Sequence, residues 1–237
     1  MNKLLSIVLA LYCFNCVSQD TGRLEKLKSR FEPIAVPFNS WSLNENSRLI
    51  ANSKKTPLSQ NETFRYILSG NRSALSYKFE KYDMETGESK GFEQRAYKFY
   101  PVYRIEQKEL LILIVLRTSV NTQSYFLSVH NQKTGKTVEG IEINKLDAEE
   151  EYRLVQSSYL DRNLQLRVFK YAMNPEYLKN IKAEQNKSIV TETVYQVDGN
   201  LKLISKTDKK SHCTVAEFFQ KNEKCIDDDP MKNLPVN

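Results

Sequence analysis

Positions 110–116 hold an uninterrupted run of seven apolar residues, LLILIVL, with Glu109 before it and Arg117 after it. The run is too short to cross a bilayer as a helix, which takes about 20 residues. Its length and its Ile and Val content favour a strand. Because a strand that is apolar at every position has both faces out of water, we expect a central strand with a layer packed on each side.

The start of the chain has the layout of a bacterial secretory signal peptide. Lys3 gives it a short positive end, residues 4–12 are apolar except for one serine, and Cys16 and Ser18 supply small residues before polar sequence begins. A charged end, an apolar core of about 7–15 residues and a small-residue cleavage site define such peptides. We therefore predict cleavage between Ser18 and Gln19, with an uncleaved N-terminal helix as an alternative.

A lipoprotein is a second alternative to a cleaved, soluble product. Acylation would use Cys16, or Cys13 upstream of it. A lipobox requires a small residue directly before the cysteine, whereas Asn15 and Tyr12 occupy those positions. The sequence favours a periplasmic or secreted protein and keeps a lipoprotein anchored through Cys16 as the alternative.

The charge balance gives a general indication of partners. The formal net charge is +6, and Lys and Arg are spread along the chain among Asp and Glu. A mild positive excess suits a solvated surface, or attraction to an acidic protein, a glycan or anionic lipid in the cell envelope. Nucleic acid is not expected as a partner of an exported protein that carries no recognition motif.

Two amphipathic helices are predicted in the N-terminal part of the mature chain. The first covers residues 21–31 and the second residues 59–68. Ser59 can cap the second helix, and Glu62 stands three residues later, as in a capping box. We expect the second helix to cover one face of the apolar strand.

From residue 74 onward the hydrophobic period changes to two, which is typical of strands. Turn signals lie at residues 85–88, 133–136, 161–163 and 198–199, and an acidic link is predicted at residues 147–151. Pro101 within a strand indicates an edge or a bulge. Because short turns join antiparallel neighbours, the predicted fold is mainly β (α+β). It is an antiparallel meander of about eight strands, curved or partly rolled, after two short helices and before a short C-terminal helix.

The predicted organisation is a signal peptide at residues 1–18 and a single β-rich domain at residues 19–237. This domain has a helical N-terminal part at residues 19–73, the meander at residues 74–206 and a disulfide-closed tail at residues 207–237.

The disulfide follows from the cysteines that remain after cleavage. Cys213 and Cys225 would be the only two left, and an even number in an oxidising compartment predicts a bridge. A metal site that adds His212 and the aspartates at 227–229 is the alternative. It lacks any standard ligand spacing.

The sequence carries no motif that indicates a known chemistry. It has no nucleophile elbow, no phosphate-binding glycine loop and no His-Glu-x-x-His pattern. Ser128 and His130 share a strand face, an arrangement that is common by chance, and residues 149–151 are interpreted as a solvated acidic turn. We assign no catalytic, cofactor-binding or metal residue, and expect a binding protein rather than an enzyme.

Eight tyrosines fall in predicted strands, where ordinary sheet packing is favoured over an aromatic binding face. They are Tyr97, Tyr100, Tyr103, Tyr125, Tyr152, Tyr159, Tyr171 and Tyr195.

The segment Cys16-Val17-Ser18-Gln19, the Lys-, Asn- and Tyr-rich composition, and the strand 125–129 followed by the turn 133–136 resemble exported β-rich proteins of Bacteroidota-type bacteria. The resemblance implies a periplasmic or envelope location and brings no active site with it. Two functional classes follow. The first is a non-enzymatic envelope binding protein, with immunity against a secreted toxin as one form, and the second is a hydrolase with scattered catalytic residues.

Overall fold

The computed structural model describes residues 22–40, 43, 56–83, 85–120, 122–149, 152–172 and 189–210. The predicted signal peptide, the Cys213–Cys225 disulfide, the metal alternative with His212 and the C-terminal helix lie outside these residues.

Among the described residues, the α-helices precede nearly all of the sheet. Helix α1 covers residues 22–28, helix α2 is Gln60–Tyr66, and a 3-10 helix follows at Arg72–Leu75. The strands of the described residues are β1 Glu32–Pro33, β2 Phe38–Asn39, β3 Ser76–Tyr82, β4 Ser89–Ala96, β5 Lys98–Gln107, β6 Leu110–Thr118, β7 Gln123–Asn131, β8 Thr137–Glu149, β9 Tyr152–Leu160, β10 Gln165–Ala172, β11 Ile189–Val197 and β12 Leu201–Lys210.

Ten of these strands form one sheet in the order β1-β5-β6-β7-β8-β9-β10-β11-β12, with β2 paired on β9. Every neighbour from β5 to β12 is antiparallel, whereas β1 runs parallel to β5. The mainly β, antiparallel meander is confirmed, but the predicted count of about eight strands is too low. Strands β1 and β2 have two residues each and are too short to show a period.

The predicted single meander over residues 74–206 is wrong at its first hairpin. Strands β3 and β4 form a separate two-stranded sheet. The backbone N–H of Tyr97 donates to the carbonyl of Leu75 at 2.9 Å and closes this hairpin at its base. Since neither strand has a fully buried residue, no apolar face draws the hairpin into the main sheet.

Strand β6 is buried on both faces, as its sequence predicts. Residues 111–116 are 0% exposed and Leu110 is 9% exposed. Ile112, Ile114 and Leu116 belong to the core enclosed by the sheet. Leu111, Leu113 and Val115 alternate with them and pack beneath the helices.

The sheet curves so that distant strands share one core. Residues from β5 to β8 and from β9 to β11 belong to a single cluster, which includes Val102, Ile105, Tyr125, Leu127, Val129, Ile143, Leu160, Leu166, Val168 and Val197. A Cβ added at Gly199, in the β11–β12 turn, would lie 3.5 Å from Asn131 Nδ2 and 3.6 Å from Leu110 Cδ2. The far turn therefore lies against the start of the central strand, and the predicted curvature is confirmed.

The helical layer is fixed by the predicted capping box of α2. The Glu62 N–H donates to Ser59 Oγ at 3.3 Å, and the Ser59 N–H donates to Glu62 Oε2 at 2.7 Å. Arg30 Nη1 lies 2.9 Å from the same Glu62 oxygen. This contact joins α2 to the segment that follows α1, above Leu111, Leu113 and Val115.

Two features of the strand edges bear on the predictions. The β5–β6 register shifts between Pro101 and Tyr103, which confirms the bulge indicated by the proline. The prediction of an acidic link at 147–151 is wrong for residues 147–149, because β8 runs to Glu149 and pairs with β9 there.

Ser40 bridges β8 and β9 where the two strands separate. Its Oγ accepts from the Ser158 N–H at 2.7 Å and donates to the Ile143 carbonyl at 3.2 Å.

Candidate functional site

A positively charged groove opens where α1, the end of α2 and the β7–β8 turn meet. Its volume is about 570 Å³. We name it the basic groove and define it by its lining residues Arg23, Asn61, Phe64, Arg65, Ser69, Gly70, Gly135, Lys136 and Thr137.

The end of α2 is shaped and held so that it forms one wall of the groove. Ser69 and Gly70 have positive φ values of 47° and 91°, which turn the chain sharply after the helix. Ser69 Oγ donates to the Thr137 carbonyl at 2.7 Å. The Gly140 N–H donates to the Ile67 carbonyl at 2.8 Å. Both hydrogen bonds fasten the end of α2 to β8.

The opposite wall is the β7–β8 turn, whose conformation follows from its sequence. Gly135 has a φ of 69°, which favours glycine, and its N–H donates to the Asn131 carbonyl at 2.8 Å. The Asn131 side chain accepts from the N–H groups of Lys133 and Thr134, at 3.0 and 2.9 Å. The turn places Lys136 at the groove.

The lining side chains favour an anionic ligand. Three are cationic, namely Arg23, Arg65 and Lys136, and none of the described residues that line the groove is acidic. The guanidinium carbon of Arg72 lies 5.2 Å from the centre of the Phe64 ring and adds positive charge beside the groove. Cations that converge on one cleft produce a local positive potential, which attracts anions and raises their rate of association.

Beneath the groove, His130 is held by neighbours and is 5% exposed. Its Nδ1 lies 2.9 Å from Thr137 Oγ1, and its ring meets Tyr66 edge to face at 5.4 Å between centroids. Burial, and secondly the nearby charge of Arg65, lower the pKa of His130. The imidazole is therefore neutral at pH 7, and it adds no charge to the groove floor.

The Ser128 and His130 side chains are engaged with different partners. Ser128 Oγ donates to the Tyr66 carbonyl at 2.9 Å, whereas His130 contacts Thr137. Both residues are buried. A nucleophile and its base must share a hydrogen bond that a substrate can reach, and these two residues are not arranged in that way.

Other predicted features are outside the groove or outside the described residues. No group of three or more His, Cys, Asp and Glu among the residues that the structure describes could hold a metal ion. Glu149 ends β8, while residues 150 and 151 are not described. Within the described ranges, no helix is both long and apolar enough to cross a membrane.

Five of the eight tyrosines lie in or against one of the two cores, in agreement with the predicted sheet packing. Tyr125 is 2% exposed in the enclosed core, and Tyr100, Tyr103 and Tyr195 pack against it. Tyr97 lies between β4 and β5 rather than in a strand, and it packs below the helical layer.

Sequence reasoning did not find the basic groove. Its residues come from three separate parts of the chain, at positions 23, 61–70 and 135–137. The local signals were the Ser69-Gly70 break after an amphipathic helix and the turn ending in Lys136. Neither signal indicates that the other lies beside it, because only the pairing of α2 with β8 brings them together.

No protein-family model, no curated protein and no solved structure matches the chain. The fold and the groove are therefore the observations from which a function is inferred.

Proposed function

We propose that this chain is an exported, non-catalytic binding protein of the bacterial envelope, whose basic groove binds an acidic segment of a partner protein. Export rests on the charged and apolar start of the sequence. The observation that carries the binding role is the convergence of Arg23, Arg65 and Lys136 around one groove.

The chemistry of the groove favours protein carboxylates over a sugar. Phe64 is its one aromatic lining residue in the described part of the chain, and the Arg72 guanidinium lies over that ring. A sugar would need a bare ring face on which to stack, whereas carboxylates need only cations and hydrogen-bond donors. The Asn61 side-chain amide supplies such a donor at the same site, whereas the Ser69 hydroxyl donates to the Thr137 carbonyl.

The partner must offer several carboxylates. An exposed ion pair contributes only about 0–1 kcal/mol, so that a single acidic residue would bind too weakly for recognition. A cluster that contacts all three cations at once adds these contributions and gains long-range attraction at low salt. An acidic secreted toxin that is neutralised by this chain is one form of such a partner.

A secreted hydrolase is the alternative function that the sequence leaves open. No specific geometry of the described residues favours it, since Ser128 and His130 bind different groups.

Isothermal titration calorimetry with an octaglutamate peptide tests the proposal. The variant Arg65→Ala/Lys136→Ala removes two groove cations. The matched control Lys202→Ala/Lys206→Ala removes the same charge from exposed positions of β12. We expect binding by the wild type and the control at about 50 mM salt, loss of binding at about 500 mM, and loss in the groove variant at both.

Three results would contradict this function. Equal weakening in both double variants would mean nonspecific charge attraction. Preference for an oligogalacturonate over the peptide would favour an acidic glycan. A saturable activity in a hydrolase screen, abolished by His130→Ala or His212→Ala, would overturn the non-catalytic assignment.

A further inference from the structure

The β3–β4 hairpin carries the two most exposed aromatic side chains of the described residues. Phe92 is 67% exposed and Tyr82 is 56% exposed. Glu80 lies directly opposite Phe92 in the hairpin register. The Tyr82 hydroxyl donates to Glu80 Oε2 at 2.7 Å, so that both side chains are on the same face. We name Glu80, Tyr82 and Phe92 the aromatic platform.

The opposite face of the hairpin is covered by its own side chains. The Arg95 guanidinium lies 3.7 Å from the centre of the Phe79 ring. Glu93 forms ion pairs with both Lys81 and Arg95. Among the described residues, the Phe92 and Tyr82 rings on the Glu80 face are exposed, so this face is the one that is available to a ligand.

The hairpin is fixed to the body of the protein at its base. The rings of Tyr77 and Tyr97 pack at 4.7 Å between centroids. The Tyr77 hydroxyl accepts from the Val120 N–H at 3.1 Å. An isolated two-stranded hairpin is only marginally stable in water, and these contacts hold the ribbon in place without covering the aromatic platform.

We propose that the aromatic platform binds a neutral polysaccharide. The apolar C–H faces of pyranose rings would stack on Phe92 and Tyr82, and the Glu80 carboxylate would accept hydrogen bonds from sugar hydroxyls.

Size favours this occupant over a protein, and charge favours it over an acidic ligand. A stable protein interface buries about 800 Å² on each partner, which two rings separated by a carboxylate do not supply as apolar surface. The hydrogen bond from Tyr82 lowers the pKa of Glu80, which keeps the carboxylate ionised as an acceptor at neutral pH. That charge repels acidic ligands, so the platform and the basic groove would take different ligands.

Saturation-transfer NMR and calorimetry with neutral hexasaccharides test the proposal. The probes are cellohexaose, maltohexaose, xylohexaose and chitohexaose, and hexagalacturonate is the acidic comparison. We expect at least one neutral probe to bind, and Phe92→Ala and Glu80→Ala each to weaken it about tenfold. Tyr82→Phe keeps the ring and should retain most of the affinity. The control Leu203→Ala removes another exposed apolar side chain, 54% exposed on β12, and should bind as the wild type.

Failure of every neutral probe to bind the folded wild type would overturn the proposal. Unchanged binding by Phe92→Ala, or stronger binding of hexagalacturonate than of the neutral probes, would also overturn it. Octaglutamate binding is measured separately with the groove variants. The proposal for the aromatic platform can therefore fail while the groove function holds, and the groove function can fail while the platform proposal holds.

Discussion

Gly140 donates its backbone N–H to the carbonyl of Ile67 at 2.8 Å, and a Cβ added to Gly140 would lie 3.1 Å from that same oxygen. The added carbon would also lie 3.3 Å from the Leu127 carbonyl. Both neighbours are backbone atoms, which cannot rotate away as a side chain would. The close approach of α2 to β8, the contact that forms the groove, therefore favours glycine at this position.

Gly140→Ala is expected to lower the free energy of unfolding by about 1–3 kcal/mol, because the new methyl group must displace backbone in a packed region. Urea denaturation measures this change. The control Gly22→Ala lies in α1 with nothing within 4 Å of the added Cβ, and should be neutral or stabilising by up to about 1 kcal/mol. Equal stability of Gly140→Ala and wild type would contradict the close approach.

Burial of β6 on both faces predicts that adjacent positions are equally intolerant of charge. Ile112→Asp and Leu113→Asp each bury an unpaired carboxylate, which costs several kcal/mol against a total stability of about 5–15 kcal/mol. Ile204→Asp, at a site 51% exposed, should change stability by less than about 0.5 kcal/mol. Thermal melts measure these changes, and a near-normal melting temperature of either β6 variant would mean that one face of the strand is exposed to solvent.

The capping box of α2 predicts a loss of stability in acid. Burial of the Glu62 carboxyl raises its pKa, but hydrogen bonds from Ser59 and the pairing with Arg30 outweigh burial and lower it. A lowered folded pKa stabilises the fold above the unfolded value of about 4.3, and this stability is lost as pH falls through the folded pKa. Glu62→Gln should therefore be less stable than wild type at pH 7, by a margin that is smaller at pH 3. The exposed Glu85→Gln serves as the control for denaturation curves at both values, and a constant Glu62→Gln difference would refute the linkage.

The lowered pKa of His130 predicts a second pH dependence of stability, at higher pH than that of Glu62. The pKa of His130 lies below the ordinary value of about 6.5, so that the unfolded chain binds more protons than the folded one between the two values. The stabilising contribution of neutral His130 is therefore fully present above about pH 7, and it is lost as pH decreases through about 6.5 toward the folded pKa. His130→Gln should flatten the stability curve between pH 7.5 and 5.5, measured by urea denaturation, whereas His212→Gln should keep its slope. A slope that survives His130→Gln would assign it to another group.

Local features of the fold were predictable from the sequence, because their causes are local. The Ser59–Glu62 capping box, the glycine turns and the bulge at Pro101 all involve residues close together in the chain. The two-sided burial of residues 110–116 also followed from the run itself, since no polar side chain in it could face water.

Features that depend on which elements pair were not predictable from periodicity. Alternation in β3 indicated a strand but not that the hairpin would stay outside the main sheet. The continuation of β8 through residues 147–149 depends on β9 pairing beside it, which outweighs the acidic character of that segment. The basic groove follows from the same kind of contact, because Arg65 and Lys136 meet only after α2 docks on β8.

The proposal that the basic groove binds acidic protein segments is tested by NMR, which maps octaglutamate on the isotope-labelled protein. We expect amide shifts at about 50 mM salt to concentrate at Gly70, Gly135 and Thr137, which line the groove, and to disappear at about 500 mM salt. Shifts that spread equally to Lys202 and Lys206 on β12, or that are absent from the groove, would contradict the claim.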